Sequence, residues 1–149
     1  MIGRHKGYLF FCKVYYVTWE NAINRENMFE LEKSFTFEAG HALKKYDGSC
    51  VRPHGHSYTL IVIVQGSLLQ STGPQSGMLI DFHAINTVVE PMLEKYLDHH
   101  WLNETLHTES PTAEYIAKWI FEYLQSRLFG LKRVTLYETA TSAVSFFVE

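Results

Sequence analysis

Two histidines separated by one glycine are the residues most suited to metal chemistry. His54 and His56 precede a β-branched apolar run at residues 60–64, and in a strand their imidazoles project from the same face. Zn²⁺ prefers His and Cys ligands, and a catalytic zinc site keeps three protein ligands and one open position. His41 ends the preceding strand-like segment, which could pair with the run after His56. The spacing therefore predicts a metal site formed by His41, His54 and His56.

Cys50 decides what kind of metal site this is. If its thiolate completes a Cys/His/His/His set, the site is structural. If the sulfur stays free beside the metal, it is a nucleophile or a general base. The residues alone leave both alternatives open.

A carboxylate directly followed by an imidazole, Asp98-His99, ends the first predicted helix. An aspartate can orient a histidine and stabilise its charge, so the two form a candidate proton-transfer pair. The alternative is an ordinary surface pair, because such neighbours are common on exposed helix ends.

The composition is that of one packed domain. The chain has 149 residues, 46% of them apolar and 15% aromatic, which favours a globular core over disorder. A formal charge of −3 gives no indication of nucleic acid or a membrane surface as a partner. Cys12 and Cys50 lie in unlike contexts, so no disulfide framework is predicted, and we expect a reducing cytoplasm.

Residues 1–28 form an N-terminal extension, and residues 29–149 form the main domain. The extension contains an apolar and aromatic run, Tyr8–Val17, which is too short to span a bilayer and suggests an extra strand. A polar stretch then resembles a linker. Met28 is accordingly a candidate for the biological start, a hypothesis that an intact Met1 terminus in the native protein would contradict.

Beyond the extension, the pattern predicts the order β-β-α-α-β-β. The strands are expected near residues 29–37, 56–65, 134–138 and 144–148, where apolar and β-branched residues concentrate. Four antiparallel strands with two helices on one face make an α+β domain. Such a sheet has two open edges, and joining edges between subunits would close it into an oligomeric barrel.

Helix boundaries follow from capping residues and breakers. Asp81 suits the N-cap of the first helix, and Pro91 should kink or divide that helix. Ser110 is expected to cap the second helix with Pro111 at its first position, and Gly130 to stop it.

Six motifs follow one another in the predicted domain. They are Phe-x-Ala-x-His (37–41), Cys-x-x-x-His-Gly-His-x-Tyr (50–58), Leu-Ile-Asp-Phe (79–82), Leu-Asp-His-His-x-Leu-Asn (97–103), Pro-Thr-Ala-Glu (111–114) and Tyr-Glu-Thr (137–139). In this order they resemble the 6-pyruvoyl-tetrahydropterin synthase family. The three residues between Cys50 and His54 favour its 6-carboxy-5,6,7,8-tetrahydropterin synthase branch, which serves queuosine biosynthesis.

The resemblance implies a tunnelling fold (T-fold), assembled into trimers and then a hexamer with active sites between subunits. It implies a lyase that converts 7,8-dihydroneopterin triphosphate to 6-carboxytetrahydropterin, acetaldehyde and triphosphate. The roles that it implies are zinc ligation by His41, His54 and His56, general acid–base catalysis by Cys50, a proton relay by Asp98 and His99, and pterin anchoring by Glu138. Thr112 either contacts the pterin or caps the second helix.

Two alternatives remain beside this reading. One is a relative within the family that releases 6-pyruvoyltetrahydropterin or cleaves the side chain by a retro-aldol route. The other is a non-catalytic zinc- or pterin-binding protein in which Cys50 is a fourth ligand. The triphosphate also requires cations, and the nearest candidates are Lys44, Lys45 and Arg52.

Overall fold

The computed structural model describes residues 27–149. The predicted extra strand at Tyr8–Val17 and nearly all of the extension lie outside the described residues.

Two long antiparallel strands form the centre of the fold. β1 (Phe29–His41) and β2 (His54–Gly66) pair over their full length, so that Phe29 lies opposite Gly66 and His41 opposite His54. The side chains of β1 alternate between buried and exposed, as the sequence pattern predicted. Both strands extend to the histidines, and the predicted pairing between them is correct.

The sheet has five strands in the order β3-β1-β2-β4-β5. β4 (Leu131–Thr139) and β5 (Ser142–Phe147) continue the antiparallel pairing, whereas β3 (His100–Trp101) runs parallel to β1. The predicted four-stranded antiparallel sheet is therefore wrong in strand number and in strand direction, since the sheet has five strands and β3 is parallel. A strand of two residues is too short to show a period of two, which is why the pattern did not reveal β3.

The first helix, α1 (Phe82–Tyr96), runs without interruption through Pro91. The predicted division at Pro91 is wrong, because apolar residues on both sides of the proline pack into the core. These buried residues are Ile85, Val89, Met92 and Leu93. The predicted N-cap is correct, since the Asp81 carboxylate accepts a hydrogen bond of 2.8 Å from the His83 N–H.

A short helix, α2 (Leu102–Thr105), precedes the second long helix, α3 (Ala113–Leu124). The N-cap of α3 is Thr112 and not Ser110, because the Thr112 hydroxyl accepts a hydrogen bond of 3.3 Å from the Tyr115 N–H. Pro111 consequently lies before the cap rather than in the first turn, which leaves its carbonyl oxygen free for another donor.

Both long helices pack on one face of the sheet, and the fold is α+β. Their apolar stripes join the inward side chains of β1, β2 and β4 in a single core, which includes Phe37, Leu60, Val89, Ile120 and Leu136. Within residues 27–149, no helix has the length and hydropathy needed to cross a bilayer.

Gly130 does not stop α3 as predicted, because α3 already ends at Leu124. Gly130 directly precedes β4 and adopts the left-handed region, with φ of 78°. An added Cβ would lie 2.7 Å from the Gln65 carbonyl oxygen. Gly130→Ala should therefore lower the free energy of unfolding by about 2–3 kcal/mol in urea denaturation. Gly73→Ala is the matched control, since Gly73 has φ of 82° and nothing within 4 Å of its added Cβ. It should cost about 1–2 kcal/mol, and equal losses would contradict the steric argument.

Candidate active site

The β1–β2 pairing brings the three predicted histidine ligands together. His41 and His54 are directly opposite each other, and their ring centroids are 4.5 Å apart. His56 lies two residues further along β2, with its ring centroid 5.2 Å from that of His41 and 5.1 Å from that of His54. One nitrogen from each ring lies within 4.8 Å of the others. This is a compact three-nitrogen group at the end of the two central strands.

Hydrogen bonds fix two of the rings with Nε2 available. His41 Nδ1 donates to the Pro111 carbonyl oxygen at 2.8 Å, and His54 Nδ1 donates to the Arg52 carbonyl oxygen at 2.8 Å. A histidine that binds a metal usually donates its other ring N–H to a carbonyl or carboxylate in this way. The tautomers set by the two carbonyl oxygens are thus the ones that metal ligation requires.

Two of the ring nitrogens are buried without a partner. Nε2 of His41 and Nε2 of His56 make no hydrogen bond within the described structure, and an unpaired buried nitrogen is costly. A metal ion bound to these atoms would remove that cost. Three imidazole nitrogens fit Zn²⁺ better than they fit Mg²⁺ or Ca²⁺, which take oxygen ligands.

His41 is almost completely buried, at 1% exposure. Burial lowers the pKa of His41, the hydrogen bond to Pro111 opposes that shift, and the nearby His54 imidazole adds to it. Neutral imidazole is the form that binds a metal. The surroundings of His41 therefore keep this ring ready for ligation at neutral pH.

Glu138 connects the histidine cluster to a cavity. Its Oε1 atom lies 3.7 Å from His41 Nε2 and 3.8 Å from His56 Nε2, which is too far for a hydrogen bond. The same residue lines a cavity of ≈ 350 Å³ together with Cys50 and Thr112. The volume is in the range of small-molecule sites, so a molecule there would lie between the thiol and this carboxylate.

Cys50 is not a member of the histidine cluster and lines the neighbouring cavity with Glu138. It occupies a 3₁₀ turn, Ser49–Val51, and its carbonyl oxygen accepts a hydrogen bond of 2.9 Å from the Leu43 N–H. In the part of the chain that the structure describes, the group of possible metal ligands consists of the three histidines alone. This placement favours a free thiol over a fourth metal ligand.

Asp98 and His99 form a hydrogen-bonded pair at the end of α1. Asp98 Oδ1 lies 2.9 Å from His99 Nδ1 and accepts a further bond of 2.9 Å from the Glu38 N–H. The bond from Glu38 lowers the pKa of the Asp98 carboxyl, and His99 lowers it further. Asp98 is therefore ionised at neutral pH and holds His99, whose side chain is 78% exposed and whose φ is 59°.

The structure does not bring this pair to Cys50 within one chain. His99 lines a second cavity of ≈ 640 Å³, which also includes His54 and His56. The two cavities have no lining residue in common. A single chain therefore presents the thiol and the Asp98–His99 pair on separate surfaces.

Thr112 and one of the three predicted phosphate-binding residues, Lys45, have identified side-chain contacts. The Thr112 hydroxyl caps α3, as one of its two predicted roles required, while the residue also lines the Cys50 cavity. Lys45 Nζ lies 2.9 Å from Glu109 Oε2 on the surface. Lys44 and Arg52 are exposed near the loop that carries Cys50.

Tyr58 is a site residue that the sequence analysis missed. It is fully buried, and its ring centroid lies 5.5 Å from that of His56 and 6.3 Å from that of His41. Burial raises the pKa of the Tyr58 hydroxyl, and the charge of Glu138 raises it further. The signal was available, because Tyr58 follows His56 by two residues and so shares its face of β2.

The comparisons with known proteins agree on one family. The model of the family described as 6-pyruvoyl tetrahydropterin synthase matches residues 30–149. Among solved structures, the 6-pyruvoyl tetrahydropterin synthase of Caenorhabditis elegans superposes with a TM-score of 0.71 and 27% identity, covering 84% of this chain and 99% of that one.

Two relatives illustrate the range of activities among similar proteins. The 6-carboxy-5,6,7,8-tetrahydropterin synthase of Synechocystis sp. is 42% identical over 121 residues, which cover 80% of this chain and 94% of the relative. The dihydroneopterin monophosphate aldolase of Pyrococcus furiosus is 36% identical over 106 residues, which cover 69% and 83% of the two chains.

Proposed function

The chain belongs to the 6-pyruvoyl tetrahydropterin synthase family, and we propose that it is a zinc-dependent 6-carboxy-5,6,7,8-tetrahydropterin synthase. The substrate would be 7,8-dihydroneopterin triphosphate, and the products 6-carboxytetrahydropterin, acetaldehyde and triphosphate. The observation that carries the proposal is the histidine cluster with buried, unpaired Nε2 atoms beside a cavity that contains Cys50 and Glu138. The 42% identity to a 6-carboxytetrahydropterin synthase supports the choice of reaction.

His41, His54 and His56 would hold the zinc ion through their Nε2 atoms. When bound, the metal supplies Lewis acidity toward the hydroxyls of the substrate side chain, which acidifies the neighbouring C–H bonds. The carbonyl oxygens of Pro111 and Arg52 keep two of the rings in the required tautomer. These two hydrogen bonds thus preorganise the proposed ligand set for zinc.

Cys50 would move protons to and from the substrate side chain through its Sγ atom. Its position in the cavity, outside the histidine cluster, leaves the sulfur free for this role. A side chain that removes a proton at one carbon can return it at the neighbouring one, and general acid–base catalysis of this kind contributes about 10²–10⁴-fold to the rate.

Asp98 and His99 would complete the relay from a neighbouring subunit. The separation of the two cavities in one chain and the exposure of His99 support this arrangement. Asp98 would keep His99 oriented, with the proton exchanged at Nε2, because Nδ1 faces the carboxylate. The open edges of the sheet suit the trimer and hexamer that the family resemblance implies.

Mixing subunits tests the shared site directly. Cys50→Ala and Asp98→Asn variants should each be nearly inactive. Unfolding and refolding them together in equal amounts should restore about a quarter of wild-type activity, because that share of sites combines an intact Cys50 with an intact Asp98 from another chain. Separately refolded variants are the control. If the mixture is no more active than these controls, the relay does not cross between subunits.

Glu138 would bind the amino-pyrimidine edge of the pterin. A carboxylate accepts two parallel hydrogen bonds from such an edge, whereas an amide accepts only one and presents a donor in place of the other. Glu138→Gln should therefore reduce kcat/KM by about 10²-fold, mainly through KM, with zinc content unchanged. Glu114→Gln is a suitable control, since Glu114 lines the same cavity but is exposed in the first turn of α3. Loss of zinc from Glu138→Gln would instead indicate that Glu138 is a metal ligand.

A side-chain-cleaving activity is the second candidate, and the 36% identity to a dihydroneopterin monophosphate aldolase favours it. Release of 6-pyruvoyltetrahydropterin is a further alternative within the family. The three activities leave different groups on the 6-position of the pterin, so their products separate them. A non-catalytic zinc or pterin protein would turn over none of the substrates.

The proposed function also implies a compartment and a pathway for this protein. A free catalytic thiol suits a reducing compartment, so we place the protein in the cytoplasm. We assign the reaction to queuosine biosynthesis, as the branch resemblance implies.

Zinc-loaded protein incubated with 7,8-dihydroneopterin triphosphate should release acetaldehyde and triphosphate in equal amounts, and no consumption of substrate would contradict the enzymatic proposal.

A further inference from the structure

Asn103, in the short helix α2, connects the segment after His41 to the loop before α3. Its Oδ1 accepts a hydrogen bond of 2.9 Å from the Ala42 N–H, and its Nδ2 donates to the Ala42 carbonyl oxygen at 2.8 Å. The same Nδ2 lies 3.3 Å from the carbonyl oxygens of Thr108 and Glu109. One side chain thus holds both backbone groups of Ala42 and two carbonyls of the loop.

One of these segments carries the buried His41, and the other carries the acceptor of its hydrogen bond, Pro111. Ala42 directly follows His41, and Glu109 is two residues from Pro111, whose carbonyl oxygen accepts the His41 Nδ1–H. A backbone hydrogen bond also joins the segments, from the Lys44 N–H to the Glu109 carbonyl oxygen at 3.1 Å, and the Lys45–Glu109 ion pair joins them on the surface. The relative position of the His41 ring and its acceptor therefore depends strongly on Asn103.

We propose that Asn103 is a positioning residue for the metal site, acting through Ala42 and the loop at residues 108–111 to keep His41 Nε2 directed at the metal. The inference rests on the zinc site proposed above. It explains why an amide stands here, because the position needs one acceptor and donors on the same side chain. Aspartate would retain the acceptor and lose the donors, and an apolar residue would lose both.

A purely structural role would give a different result. If Asn103 only stabilises the fold, its removal lowers the stability of metal-free and zinc-bound protein equally and leaves zinc affinity unchanged. If it positions His41, removal weakens zinc binding, since residues that orient a metal ligand typically contribute about 10–100-fold to affinity. The visible absorption of the Co²⁺-substituted protein would also change, because it reports the geometry of the ligands.

The experiment compares wild type, Asn103→Ala, Asn103→Asp and the control Asn86→Ala in the full chain. Asn86 is a half-buried asparagine on α1 whose Oδ1 has no hydrogen-bond partner in the described structure. Zinc affinity is measured by competition with a chromogenic chelator, and Co²⁺ spectra are recorded in parallel. The near-isosteric aspartate variant keeps the test available if the alanine variant does not fold.

We expect both Asn103 variants to bind zinc about 10–100-fold more weakly, with altered Co²⁺ spectra, and Asn86→Ala to match wild type. Unchanged zinc affinity in a folded Asn103 variant would overturn the inference and leave the zinc site intact. Failure of the wild type itself to bind zinc would overturn the proposed zinc site, and this inference with it.

Discussion

Cys50→Ala should lose about 10³-fold in turnover of dihydroneopterin triphosphate while retaining about one zinc per chain. Cys50 lines the cavity with Glu138 and lies outside the histidine cluster, so its removal takes away the proposed proton carrier and leaves the three proposed metal ligands in place. The measurement combines steady-state kinetics with metal analysis of the same preparation. The loss should fall on kcat, because the proposed metal site and the proposed pterin-binding carboxylate, Glu138, would both remain.

Ser49→Ala is the neighbouring control for this variant. Ser49 shares the 3₁₀ turn with Cys50 but does not line the cavity, so its replacement should leave both zinc and kcat near wild type. Loss of zinc together with thermal stability in Cys50→Ala would show that the sulfur is a structural ligand, because structural zinc contributes folding energy.

His54→Ala should weaken zinc binding by about 10³-fold or more and reduce turnover to background. His54 is the clearest proposed ligand to remove, since it is only half-buried, whereas loss of the fully buried His41 would also disrupt core packing. Zinc at about 100 times its dissociation constant should stabilise the wild type by about 2.7 kcal/mol. The variant should gain almost nothing from the same zinc concentration, as read from thermal unfolding with and without metal.

His83→Ala serves as the control for the ligand variant. His83 is exposed in the first turn of α1 and is not a member of the histidine cluster. Its replacement should leave the zinc-dependent stabilisation unchanged. If His54→Ala retained wild-type zinc affinity, the three-histidine site would be refuted.

The sequence pattern was most informative where one periodicity governed a long segment. The alternation along β1 predicted which face is buried, and pairing with β2 then followed from the positions of His41 and His54. A hairpin with a defined register places residues that are 13 apart in the chain directly opposite each other, so the three histidines could be grouped without a structure.

Features that depend on tertiary contacts were harder to predict from the sequence. β3 forms through two backbone pairs with β1 and leaves no pattern of its own. The N-cap of α3 is Thr112 rather than the predicted Ser110, and the Pro111 carbonyl oxygen accepts the hydrogen bond from His41. Local sequence propensities do not predict either contact. The contacts of Asn103 were hidden for the same reason, because its four hydrogen bonds join segments that are brought together only in the fold.

Glu138 was predictable as a candidate residue, but its location was not. Its motif, Tyr-Glu-Thr, marked it as a candidate, but its distance to the histidine nitrogens depends on how β4 pairs with β2. The register of β4 with its other neighbour, β5, shifts between Tyr137 and Thr139, and no pattern in the sequence indicates this shift. The location of a side chain at such an irregularity has to be observed.

The most direct test of the proposed reaction is identification of the pterin product by mass spectrometry. Zinc-loaded wild type is incubated anaerobically with 7,8-dihydroneopterin triphosphate, and the pterin and carbonyl products are both identified. We expect 6-carboxytetrahydropterin together with acetaldehyde. A pterin that keeps the whole side chain as 6-pyruvoyltetrahydropterin, or one shortened by retro-aldol cleavage, would contradict the assignment.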